Sequence, residues 1–144
     1  MTVASASKSA SAATPAVRVL NLAGIDYSLH SFEHDPATRR YGSEAADKLG
    51  VGSDQVFKTL MIQVDGAPVT ALVPVSGQLD LKALASARSA KKAQLAGVAE
   101  TERRTGYPVG GVSPFGQRHA VPVVIDRTAL EHASVFVSAG RRGL

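Results

Sequence analysis

The chain has 144 residues, 44% of them hydrophobic and 19% charged, with a net charge of +4 and no cysteine. Such a composition fits a globular protein long enough to bury about two-thirds of its unfolded surface in one domain. It excludes disulfides, thiolate metal sites and a protein thiol nucleophile, and no apolar run approaches the roughly 20 residues a membrane span needs.

The first residues, "MTVASASKSASAAT", contain one lysine and no apolar core, so they do not read as a signal peptide. Their Ser/Ala monotony cannot bury a core, and residues 1–13 are expected to be a disordered tail. Thr14 as N-cap and Pro15 at the first helical position predict a helix over "TPAVRVLNLAG", ended by Gly24. "IDYSLHSFE" reads as a strand with Tyr27 and Leu29 on one face and His30 and Phe32 on the other. "HDPATRRYG" is a loop broken at Asp35-Pro36, and a short helix is expected from Ser43 to a stop at Gly50.

"VFKTLMIQV", "DGA" and "PVTALVPV" place two β-rich runs around Asp-Gly, the strongest local signal for a hairpin. Asp80 is positioned to cap a helix through "LKALASA", and "AETERRT" predicts another helix, stopped at Gly106. "YPVGGVSPFGQ" is a structured loop, and "VPVVID" and "SVFVSAG" are the last two expected strands. Hairpin and helices do not alternate strictly. This points to an α+β fold, a mixed and partly closed β-sheet with flanking helices, rather than a doubly wound parallel sheet. Residues 14–144 show no internal repeat or linker and read as a single domain.

Charge is uneven. Residues 1–85 sum to −1 and residues 86–144 to +5, with basic pairs at Lys91-Lys92, Arg103-Arg104 and Arg141-Arg142. These residues either keep the surface soluble or form a face for a polyanion such as RNA; charge alone does not choose.

Three stretches bear on chemistry. "HSFEH", residues 30–34, matches the H-x-x-E-H pattern of some zinc peptidases, which requires both histidines on one helical face. On a strand His30 and His34 stand about 13 Å apart with Glu33 on the opposite side, so no metal is expected there. "GVSPFG" lacks the glycine spacing of a nucleophile elbow, and its Ser113-Pro114 bond favours extended backbone. It is a rigid turn or a loop whose backbone approaches a ligand closely. In "VFKTLMI", Lys58 shares a strand face with Val56, Leu60 and Ile62. A lysine there either leans on the sheet with its head in water and guards an edge, or is a partly desolvated cation at the mouth of a site.

Seven segments taken in order resemble the YbaK/EbsC family of aminoacyl-tRNA deacylases, relatives of the editing domain inserted in bacterial prolyl-tRNA synthetases. They are "TPAVRVL", "AADKLGV", "VFKTL", "LDLKALA", "AKKAQLA", "TGYPVGGVSPFG" and "VSAGRRGL", and the match runs from Thr14 to Leu144. The resemblance implies a cytoplasmic enzyme that hydrolyses a wrongly attached amino acid from tRNA, in its best-known branch Cys-tRNA(Pro), with no cofactor and no metal. It implies that Lys58 is the residue most essential to activity. It implies a substrate-binding role for Gly110, Gly111, Ser113, Pro114 and Gly116 of the glycine-rich loop, for Ser138 and Gly140, and for Tyr27, Phe32 and Thr59. The partners it implies are mischarged tRNA and, by family habit, prolyl-tRNA synthetase.

In that family the attack on the ester comes from the substrate thiol, the terminal ribose hydroxyl or a positioned water, which is compatible with the absence of cysteine and of a visible triad. Two other readings stand beside Cys-tRNA(Pro): a deacylase for Ala-tRNA(Pro) or another small amino acid, and a non-catalytic aminoacyl-tRNA or RNA-binding regulator. The chain departs from the family pattern at three points. Arg141-Arg142 stands where lysine-arginine is usual, Pro108 replaces a β-branched residue, and relatives continue beyond the position of Leu144 with a strand and a short helix.

Overall fold

The computed structural model describes residues 5–7 and 13–144. The elements are β1 (Ser5–Ser7), α1 (Pro15–Leu22), β2 (Leu29–Ser31), α2 (Tyr41–Leu49), β3 (Phe57–Val64), β4 (Ala67–Pro74), α3 (Leu81–Ala87), β5 (Ala93–Leu95), α4 (Val98–Thr105) and β6 (Val123–Ile125). A 3₁₀ turn at Arg127–Glu131 follows. The fold is α+β, as expected. Its main sheet is four-stranded and mixed, in the order β5-β3-β4-β6, with β6 parallel to β4 and the other pairs antiparallel.

The hairpin forms because Asp65 and Gly66 both take positive φ, 48° and 81°, matching the twist that a two-residue turn needs. Register is fixed from Phe57 opposite Pro74 to Val64 opposite Ala67. Burial along β3 does not alternate: Phe57, Met61, Ile62 and Val64 are all buried, because both faces of the strand are covered. Ile62, Val64, Val69, Ala71 and Leu84 make the core between the hairpin and α3, each large side chain stabilising the fold by about 1.5–3 kcal/mol. A second cluster, Val17 and Leu29 with Tyr27, Ala139 and Leu144, joins α1 to β2 and the C-terminal segment. A third joins α1 to the glycine-rich loop through Ala16, Tyr107, Val112 and Phe115.

Both predicted N-caps hold, while the helix expected from Ser43 starts two residues earlier, at Tyr41, without a side-chain cap. Thr14 Oγ1 accepts from Val17 N–H at 3.2 Å and Asp80 Oδ1 from Ala83 N–H at 3.0 Å. Four further details differ. The predicted strand over residues 25–33 is confined to Leu29–Ser31 and pairs outside the main sheet, with β1. Ser5–Ser7 of the expected disordered tail is that partner; residues 1–4 and 8–12, also covered by that expectation, lie outside the described residues. "SVFVSAG" is not a strand: its ladder is one bridge, Phe136 beside Val56, because Gly140 and the turn after it bend the chain away. Finally, "AKKAQLA" contains the unpredicted β5. Its periodicity is uninformative; the segment is held by Asp65, whose carboxylate accepts the N–H groups of Lys91 and Lys92 and whose own N–H donates to Lys92 O at 2.8 Å.

Candidate active site

β5 pairs with β3 only from Ile62 onward. The first half of β3 therefore opens at that edge onto a cleft of about 770 Å³, walled by β2, the first turn of α2, Val109–Phe115 and residues 134–139. Its size suits a small ligand or the end of a larger one.

Lys58 enters this cleft from the sheet. It is half-buried, and its Nζ donates to Gly77 O at 3.2 Å. No carboxylate pairs with it among the described residues. The ammonium has three donors, so one is engaged and two remain for a ligand. Beside it Thr59 Oγ1 is buried with no hydrogen-bond partner among the described residues, an unusual state for a native hydroxyl.

The opposite wall is rigid. Tyr107 OH donates to Phe115 O at 2.6 Å, Val109 N–H to Glu102 Oε2 at 2.9 Å, and Gln117 Nε2 to Ser113 O at 3.0 Å. Burial pushes the Tyr107 hydroxyl above its ordinary pKa of 10.0. Arg142 donates from Nε and Nη2 to Val109 O, tying the C-terminal segment to the loop. Five serines line the cleft, and the two of them singled out from sequence are engaged in local turns. Ser113 Oγ accepts Phe115 N–H at 3.2 Å and Ser138 Oγ accepts Gly140 N–H at 3.1 Å, and neither is bonded to a histidine.

Of the residues singled out from sequence, Tyr27, Phe32, Lys58, Thr59, Gly110, Ser113 and Ser138 line the cleft. Gly111, Pro114, Gly116 and Gly140 do not. Three of these are packing positions. A Cβ on Gly111 would lie 2.7 Å from the Arg141 Cα, on Gly116 2.6 Å from the Pro15 carbonyl oxygen, and on Gly140 2.6 Å from the Tyr107 ring. They let the loop, α1 and the C-terminal segment close against one another and so shape the wall without touching its contents.

His30 and His34 have separate partners. His30 Nε2 meets Ser28 Oγ at 2.8 Å and its ring meets Phe136 edge-on. His34 Nδ1 meets Glu44 Oε1 at 2.6 Å. Burial alone would raise the Glu44 carboxyl, but hydrogen bonds from His34, the Asp35 N–H and Lys48 outweigh it and hold the group below 4.5. Sequence reasoning did not single out His30, Arg39, Arg40 or Tyr41 as site residues, yet all four line the cleft. The available signal was the dibasic Arg39-Arg40 immediately before a helix start.

The sequence profile described as the aminoacyl-tRNA editing domain matches residues 35–144. The chain is 32% identical over 132 residues to an Enterococcus faecalis protein named "Putative Cys-tRNA(Pro)/Cys-tRNA(Cys) deacylase EbsC", covering 91% of this chain and 80% of that one. It is 39% identical over 88 residues to a Nitratidesulfovibrio vulgaris proline–tRNA ligase, covering 61% of this chain but only 15% of the ligase. The fold matches a crystal structure described as "a putative trans-editing enzyme for prolyl tRNA synthetase" with a TM-score of 0.77 and 27% identity, over 94% of this chain and 83% of the other. No helix among the described residues is long and apolar enough to cross a membrane.

Proposed function

The chain belongs to the aminoacyl-tRNA editing domain family, and on that premise we propose that it is a single-domain trans-editing deacylase, a hydrolase of the ester bond of mischarged tRNA. The preferred substrate is Cys-tRNA(Pro), a reading supported by the name of the Enterococcus faecalis relative. Prolyl-tRNA synthetase is the proposed partner, and the cytoplasm the proposed place of work.

The observation that carries this reading is Lys58: a half-buried ammonium with one carbonyl contact, entering from the sheet a cleft that the glycine-rich loop also lines. When an ester carbonyl is attacked, negative charge develops on its oxygen, and a fixed cation in a water-poor site stabilises that charge more than it stabilises the neutral ester. The leaving group is the ribose oxygen. Ser113 and Ser138 are engaged in their own turns, and on this reading the attacking group comes from the substrate or from water. Ser28, whose hydroxyl meets His30 Nε2 at 2.8 Å in the same cleft, is the protein group that competes with it. A substrate thiol closing on its own ester needs only to be held in place. Tyr27, Phe32, Thr59, Gly110, Ser113 and Ser138 line the space that would hold the aminoacyl end, while Gly111, Pro114, Gly116 and Gly140 support it.

The test is a panel of mischarged tRNAs incubated with wild type, Lys58→Ala and Lys58→Met. Cysteine should be released from Cys-tRNA(Pro) by wild type, while both variants fall by about a hundred- to a thousandfold, the range for loss of one such donor. Lys58 has no ion-pair partner to orphan among the described residues, so both variants should keep the fold, checked by thermal denaturation. Full activity in Lys58→Ala would remove Lys58 from the mechanism.

A further inference from the structure

The cleft has a mostly basic ionisable lining. Arg39, Arg40, Lys58 and Arg141 line it, and Asp26 is the one carboxylate among the lining residues. Arg39, Arg40 and Arg141 are exposed and form no ion pair among the described residues. Arg39 Nη1 touches only the carbonyls of Pro36 and Thr38.

The two segments that hold these arginines are far apart in sequence and meet around Tyr41. Its ring lies under Arg142, and a Cβ on Gly110 would come within 2.7 Å of it. Tyr41, Gly42 and Ser43, the first turn of α2, line the same cleft, and no side chain caps that helix. Its free N–H groups add a partial positive charge to the arginines' side of the cleft. Glu44, the acidic residue of that turn, is occupied by His34, the Asp35 N–H and Lys48.

The other basic pairs are placed differently. Lys91 and Lys92 lie outside the cleft beside the hairpin turn, and Arg104 is paired with Glu100 at 3.0 Å. Arg142 is committed to Val109 O and to the Tyr41 ring.

We propose that Arg39, Arg40 and Arg141 form a phosphate-binding rim, which takes the single-stranded sugar–phosphate chain leading into the cleft. Resting on the deacylase reading above, this assigns polynucleotide recognition to three arginines that surround the ester pocket but take no part in ester chemistry. A cleft able to hold one aminoacyl end cannot by itself distinguish a tRNA ester from a small ester. Three phosphate contacts supply that distinction electrostatically, so the rim binds nucleic acid in a salt-dependent, sequence-independent way.

The experiment measures binding of deacylated tRNA by fluorescence anisotropy between about 50 and 200 mM salt. It also measures hydrolysis of aminoacyl-tRNA and of the aminoacyl ester of adenosine, which has no phosphate. Wild type is compared with R39A/R40A/R141A, with the triple lysine variant R39K/R40K/R141K, and with K91A/K92A. The alanine variant should bind tRNA at least about tenfold more weakly at low salt. Its slope of log affinity against log salt should be shallower by about 2, at roughly 0.7 per single-strand phosphate lost. Its loss on the adenosine ester should be at least about tenfold smaller than its loss on aminoacyl-tRNA. The lysine variant should keep the slope, and K91A/K92A should match wild type. An unchanged slope in the alanine variant overturns the proposal. So does an equal loss in K91A/K92A, or an equal loss on the adenosine ester. If wild type hydrolyses no ester but its tRNA binding shows the arginine-dependent slope, the deacylase reading falls and the rim stands.

Discussion

Arg142 lies over the ring of Tyr41, with its guanidinium carbon 4.8 Å from the ring centroid, while Nε and Nη2 donate to Val109 O at 2.9 and 2.7 Å. The planar guanidinium makes both contacts at once; a lysine ammonium cannot stack and fork together. Arg142→Lys should therefore keep the charge and lose the clamp between the C-terminal segment and the glycine-rich loop. Because the residue is exposed, the cost in stability should stay near 1 kcal/mol or below. The effect should show in catalysis, as a rise in KM of several-fold with a smaller change in kcat, since the loop wall is displaced while Lys58 is untouched. Steady-state kinetics of the variant on its best ester checks this, and wild-type KM would mean that the clamp is idle.

Gly116 and Gly24 both take a left-handed conformation, φ 64° and 67°, but in different surroundings. A Cβ at Gly24 meets nothing within 4 Å, whereas at Gly116 it lands 2.6 Å from the Pro15 carbonyl oxygen. Gly24→Ala should then cost about 1 kcal/mol from backbone strain alone. Gly116→Ala adds a clash with main chain that cannot rotate away, for about 2–5 kcal/mol in total. Parallel thermal denaturations should show the larger fall in Tm for Gly116→Ala; equal falls would mean that α1 yields to the loop.

The contrast shows what a one-dimensional reading could reach. Thr14, Pro15, Asp65-Gly66 and Asp80 act within four residues of themselves, and the elements they start or turn form where sequence places them. Lys58 stood out because a charge interrupts an apolar run, which is again a local fact. Arg39 and Arg40 did not, since their role depends on α2 being turned toward a loop some seventy residues away. The same holds for β5, which is led into place by Asp65 of the hairpin turn holding Lys91 and Lys92 just before it. The glycines of the loop carried a resemblance signal, but sequence could not separate Gly110, which lines the cleft, from Gly111 and Gly116, which pack behind it.

Glu44 accepts from His34 Nδ1 at 2.6 Å, from the Asp35 N–H at 2.7 Å and from Lys48 at 3.2 Å, and its side chain is 7% exposed. Its carboxyl is held below the ordinary 4.5, so it binds protons less readily folded than unfolded. The stabilisation is present above that ordinary value and is lost as pH falls through the folded-state pKa. Glu44→Gln should cost about 1–2 kcal/mol at neutral pH and flatten the acid limb of the stability curve. Urea denaturation across the acid range reads both, and an acid limb as steep as wild type would place the proton uptake elsewhere.

Thr59 separates stability from function most sharply. Its hydroxyl is buried in the cleft wall beside Lys58 and has no hydrogen-bond partner among the described residues. An unsatisfied buried hydroxyl is a cost to the folded state of about 1–3 kcal/mol. Valine keeps the β-branched shape that suits β3 while removing the polar atom. Thr59→Val should therefore leave Tm unchanged or raise it by a few degrees. If the hydroxyl is satisfied only by the substrate, the same variant should lose about ten- to a hundredfold in kcat/KM, roughly 1.4–2.7 kcal/mol of transition-state binding. Thr59→Ser, which restores the oxygen and lacks the methyl, should recover most of the rate despite being less stable. A valine variant as active as wild type would make the orphaned hydroxyl a structural accident; a serine variant as slow as valine would shift the role to the methyl group.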